Sequence, residues 1–213
     1  MSDPAPVTAA RPPRGRPAWL TAPVLTVSVL SIAAGVAQFS VTAVIGDVAA
    51  AFGEVGAGGG NDVASQIGLP ATTLGIALAL IRLASLLSLP AAALADRFGR
   101  RNLLLTLAAI GLTLTSVAAL APGFWWYVAL VALARPALST VNALAGVVAA
   151  EETTSKDRSA AIALITAAYG LGAGVVSVAR GAWPGEPSFR LVTAFALVPL
   201  LLLPLLARKV REP

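Results

Sequence analysis

Six long apolar runs constrain this chain more than any single motif does. They cover roughly 23–50, 69–95, 103–121, 124–150, 159–179 and 188–207, and each comes close to or exceeds the about 20 residues that a helix needs to cross a hydrocarbon core about 30 Å thick. None alternates apolar and polar residues as barrel strands do. Lipid offers no partner to exposed backbone groups, which leaves helices as the spanning structure. The expectation is an all-α membrane protein with six transmembrane helices. A water-soluble fold is excluded on composition: 57% of the chain is hydrophobic and 12% charged, against about 25% charged in ordinary soluble domains.

The segments between the runs fit that plan. Residues 1–18 carry Pro4, Pro6, Pro12, Pro13 and Pro17 among basic residues, which predicts a disordered or extended N-terminal arm. The membrane domain is expected over 19–208 and a short tail over 209–213. A cleaved signal peptide is disfavoured, because the first apolar run is longer than a signal core of about 7–15 residues. Glu54–Gln66 is a glycine-rich loop. Pro122-Gly123 and Trp183-Pro184-Gly185 read as turns, and Trp125, Trp126 and Tyr127 suit an interfacial aromatic belt.

Basic residues set the orientation. Arg11, Arg14 and Arg16 precede the first run, and Arg97, Arg100 and Arg101 follow the second. Lys156 and Arg158 follow the fourth, and Arg208, Lys209 and Arg211 follow the sixth. All fall on one side of the bilayer, which the positive-inside rule assigns to the cytoplasm, together with both termini. The expected location is the cell membrane, plasma or inner. The formal charge of +5 does not make a nucleic-acid surface, because these charges sit at helix ends beside lipid. No Cys and no His occur, which removes disulfides, thiolate metal sites and the usual neutral-pH proton shuttle. No base stands beside a nucleophile, and there is no metal-ligand cluster or Walker motif. An enzyme and a bound cofactor are therefore not expected.

The loop after the second run reads Leu94-Ala95-Asp96-Arg97-Phe98-Gly99-Arg100-Arg101. Gly99 permits a turn that other residues resist. Asp96 can pair with Arg97 or Arg100, or sit at the positive end of a helix. In order and position the loop resembles the signature G-x-L-A-D-R-x-G-R-R of the major facilitator superfamily, with Ala92 where the family has Gly. Glu151 and Arg158, spaced E-x₆-R, resemble its pattern between spans four and five. Ala43–Gly53 and the stretch from Ser188 to Pro213 look like its exit from span one and its sixth span.

The resemblance implies a half bundle of two three-helix inverted repeats. It further implies a small-molecule substrate bound near the midplane, and a second six-helix half from another chain or a second copy. The implied activity is secondary transport by alternating access. The alternative is a truncated half that does not transport, or an assembly partner of a carrier. Asp96, Arg97, Gly99, Arg100, Arg101, Glu151 and Arg158 would then serve gating, with Asp96 latching one half against the other. Spans one, two, four and five would border the cavity, and three and six would lie outside it.

Ionisable residues inside spans are functional candidates. At helical rise, Arg82 lies roughly 21 Å from the level of Asp96, and Arg135 roughly 24 Å from that of Glu151. Gln38 lies roughly 22 Å above Pro23 and Tyr169 roughly 16 Å above Arg158, with Asn142 lower. No carboxylate shares that depth, since Asp47 falls at the interface. Arg82 and Arg135 are therefore candidates to bind an anionic solute, with Gln38, Asn142 and Tyr169 beside them. The competing reading is that each arginine snorkels, or bonds backbone carbonyls and Gln38. Gly170 and Gly174, spaced G-x-x-x-G, predict a close helix approach on the fifth span.

Overall fold

The computed structural model describes residues 20–53, 69–182 and 188–208, except for the side chain of Asp96. The proline-rich arm, the glycine-rich loop, the Trp183-Pro184-Gly185 turn and the last tail residues lie outside the described residues. Six helices are long and apolar enough to cross a membrane: α1 (Ala22–Phe52), α2 (Ala71–Ala93), α3 (Arg100–Ala118), α4 (Phe124–Glu151), α5 (Arg158–Ala182) and α6 (Phe189–Ala207). No strand occurs among the described residues.

Local chemistry accounts for where these helices start, break and stop. Thr21 caps α1 by accepting the Val24 N–H at 3.5 Å, and Pro23 occupies the first turn, where a missing N–H costs nothing. At the other end the Gly53 N–H donates to the Ala49 carbonyl at 2.8 Å. α2 tightens into a 3₁₀ turn at Ser85–Leu87 before resuming at Ser88–Ala93. Pro90 explains the break, because it offers no N–H to the Leu86 carbonyl and its ring crowds that group. Pro199 stands in the same relation to Phe195, where α6 is interrupted between Phe189–Ala194 and Leu197–Ala207.

A single turn, Ala95–Phe98, follows α2. Gly99 then takes φ 80 and ψ 135, the one positive φ among the described residues. A side chain there would be strained. Because Gly99 redirects the chain at once, α3 begins at Arg100, ahead of the apolar run that starts at Leu103, and both arginines fall in its first turn.

α1 is the central rod. It packs on α5, α4, α6 and α3, while α4 packs on α3, α1, α5 and α2. α2 rests mainly on α4. One apolar cluster, with Val27, Leu30, Leu104 and Leu144, fills the bundle toward the Gly99 loop. A second, with Val44, Val48, Tyr127 and Phe189, fills the opposite end.

The tightest crossing joins α1 to α5, and it is not where the G-x-x-x-G spacing places it. Gly170 and Gly174 have nothing within 4 Å of where a Cβ would stand. Gly172, on the other face of α5, meets Gly35 of α1. A Cβ on Gly172 would lie 2.5 Å from the Ile32 carbonyl oxygen and 2.5 Å from the Val36 nitrogen. A Cβ on Gly35 would run into the Tyr169 carbonyl oxygen. Within this chain the close approach falls on the other face of α5, because spacing permits close approach without saying which face makes it.

Candidate functional site

At the end of the bundle carrying Gly99, the loop arginines bind helix ends together. Arg100 pairs with Glu151, joining the start of α3 to the end of α4. Arg101 donates from Nη2 to the Ala207 carbonyl at 2.8 Å. Arg158 donates from Nε to the Ala150 carbonyl at 3.1 Å. Both acceptors lie in the last turns of α6 and α4, where carbonyls lack helical partners and the helix dipole favours a cation. Arg97 is exposed. The side chain of Asp96 lies outside the described residues.

The opposite end uses the same device. Arg180 of α5 bonds Asp47 of α1 at 2.7 Å. Arg190 of α6 donates to the Ala119 and Ala121 carbonyls at 3.0 and 3.4 Å, closing the C-terminal end of α3. The sequence placed Asp47 at the interface but did not pair it. The available signal was an acid near the end of one span and a base near the end of another, on the same side.

Between these ends lies a polar constellation. The Tyr169 hydroxyl donates to Gln38 Oε1 at 3.1 Å across the α1–α5 contact. Phe39 packs its ring against that of Tyr169, with centroids 5.3 Å apart and planes tilted by 55°. Gln38 is only 4% exposed, and its Nε2 has no hydrogen-bond partner among the described residues. Arg135 of α4 is half-buried, and its Nε is likewise buried without a partner. Both residues line a small cavity of about 10 Å³, room for about one water, together with Val41, Thr115, Val131 and Leu138. Thr115 brings α3 into the lining.

Arg82, exposed on α2, lies within electrostatic range of Arg135 and Tyr169. Neither arginine makes an ion pair among the described residues. Asn142 stands two turns along α4 from Arg135, about 10 Å away by helical rise. Its Oδ1 is buried without a partner, and it is not part of the cavity lining. Thus Gln38 meets Tyr169 and shares a cavity with Arg135, while Asn142 occupies a separate level.

The chain matches the family description Major Facilitator Superfamily over residues 27–213. It belongs to the major facilitator superfamily. A search of curated proteins finds no match to it. Members of the superfamily are membrane transporters, so the six apolar helices are in contact with a lipid bilayer and the general role of the chain is transport. The unpartnered side-chain nitrogens of Gln38 and Arg135 are both hydrogen-bond donors.

Proposed function

We propose that this chain is one six-helix half of a secondary active transporter that moves a small anionic solute by alternating access. The observation that carries this reading is the half-buried Arg135 guanidinium, whose Nε has no partner and which no carboxylate neutralises among the described residues. A charge is costly to hold inside a membrane without a counterion. A transported anion supplies that counterion transiently, which suits a site that must both load and release.

The second half, on another chain or a second copy, would cover α2 and α5, whose outward faces have little cover in this chain. Rocking of the two halves about the midplane then exposes the site to each side in turn. The Gly99 loop and both termini face the cytoplasm of the cell membrane in this reading, with 1–18 as an N-terminal arm, 19–208 as the membrane domain and 209–213 as a tail. In this reading Asp96, in the turn after α2, would serve as a latch between the halves, while the Arg100–Glu151 pair ties the ends of α3 and α4 within its own half.

Uptake into liposomes by the chain together with its second half tests the reading. Arg135→Ala is expected to reduce anion uptake at least about 100-fold, as loss of a buried charged contact does, while membrane insertion and thermal midpoint stay near wild type. Parallel loss of transport and of folding would assign Arg135 a structural role instead. A reporter at residue 100 that labels from outside the cell would overturn the orientation.

A further inference from the structure

The cavity between α1, α3 and α4 differs from an ordinary packing defect in what lines it. Empty cavities in proteins have apolar walls, whereas polar cavities of sufficient size hold water. This one measures about 10 Å³, close to a single water probe and too little for a second molecule. Three of its lining residues are polar: Gln38 of α1, Thr115 of α3 and Arg135 of α4. We propose that it is a binding site for one water molecule, which ties these three helices together and holds Arg135 by its Nε.

The donors and acceptors balance around such a water. Gln38 is 4% exposed. The Tyr169 hydroxyl donates to its Oε1 at 3.1 Å, and its Nε2 is buried without a partner among the described residues. Arg135 Nε is buried without a partner in the same way. Both nitrogens donate and neither accepts, so they cannot satisfy one another directly. A water oxygen accepts from both at once. The Thr115 hydroxyl commits its one hydrogen to the Gly111 carbonyl at 2.8 Å, so its oxygen remains an acceptor. A water held by Gln38 and Arg135 donates to that oxygen. The result is three bonds, the usual number for a buried water. The rest of the wall, Ala37, Val41, Val131, Ala134 and Leu138, offers no side-chain group to compete for them.

The water completes a polar chain across four helices. It runs from Tyr169 of α5 to Gln38 of α1, and through the water to Thr115 of α3 and Arg135 of α4. The α1–α5 pair is already fixed by the crossing of Gly35 and Gly172, and the water extends that rigid pair to α3 and α4. It also orients the arginine. A neutral molecule satisfies the Nε donor without cancelling the charge, so the guanidinium keeps its charge in a fixed position. Gln38 and Thr115 are thus positioning residues for Arg135, acting through the water.

X-ray footprinting of the purified full chain in detergent tests this. The pulse splits bound water into hydroxyl radicals, which oxidise the side chains they touch, and mass spectrometry locates the oxidised residues. Val41 and Leu138 line the cavity and are 3% and 2% exposed. Val27 and Val44 are 0% exposed and lie outside it. Val41 and Leu138 should be oxidised, and Val27 and Val44 should not. Equal oxidation of the two sets, or none in either, would overturn the water site.

Thr115→Val keeps nearly the same shape and removes the acceptor. Oxidation of Val41 and Leu138 should then fall to the level of Val27 and Val44. Gln38→Leu removes a donor and should give the same loss, which keeps the test open if the threonine variant fails to fold. Unchanged oxidation in a folded variant would mean that solvent passes through without being bound, and would overturn the bridge. The anion reading is decided separately, by uptake.

Discussion

α1 and α2 have the same mean hydropathy, 1.9, in their most apolar stretches, yet 78% of that stretch is buried within the chain in α1 and 11% in α2. Hydropathy therefore says that both cross the bilayer and nothing about which of them lies inside. The difference lies in small and polar residues. α1 buries Ser28, Ser31, Gly35, Gln38 and Ser40. α2 turns Ile76, Leu80, Leu83, Leu86, Leu87 and Leu89 outward. Lipid is as apolar as leucine, so leucine gains little by leaving it. Helices in a bilayer meet where side chains are short enough to let backbones touch, and where a polar group is better placed among other protein groups than in hydrocarbon.

The sharpest way to break this contrast is to put bulk at the inner crossing. Gly172→Leu should destabilise the bundle by about 3 kcal/mol or more, at the upper end of overpacking effects. The measurement is the thermal midpoint and monodispersity of the purified protein in detergent. Tolerance of leucine at Gly172 would show that α1 and α5 do not touch there. Gly170→Leu, on the open face of the same helix, is the matched control. It should leave the stability of this chain within about 0.5 kcal/mol, as surface substitutions do.

Smaller effects are expected at the helix ends. Glu151→Gln, which weakens the pair with Arg100, and Asp47→Asn, which weakens that with Arg180, should each cost about 1 kcal/mol or less. Both pairs are partly exposed, with side chains 31% and 42% accessible in the first and 35% and 28% in the second, and solvent screens such pairs. Raising the salt concentration should shrink both differences. The smallest effect belongs to α2: Leu86→Ala should change stability by only a few tenths of a kcal/mol, since that side chain faces away from the bundle. A large loss there would mean that α2 is covered by a partner in the purified state.

These comparisons also show what a sequence of this kind reveals. The six spans are legible because bilayer thickness imposes a length on each apolar run. The loop at Gly99 is legible because a tight connection between helices needs a residue free of a Cβ, and because its order resembles a known signature. The nearness of Gln38 and Tyr169 along their spans follows from helical rise.

Rotation about each helix axis does not follow, and most of the remaining structure depends on it. Gly172 rather than Gly170 or Gly174 meets α1, Thr115 joins the cavity wall and Asn142 falls outside it, because neighbouring helices set those faces. The bonds from Arg101 and Arg190 to carbonyls were equally hidden. Backbone acceptors at helix ends carry no residue label, so no pairing of side chains in the sequence points to them.

The contact between Gly35 and Gly172 reaches beyond packing. Gln38 and Tyr169 each stand three residues from one of these glycines, so the two bare backbones act as a caliper whose jaws set the gap that a single hydroxyl must bridge. One added methyl at either jaw would open that gap by more than a hydrogen bond can stretch. The Tyr169–Gln38 bond is thus gauged by two atoms the protein does not have.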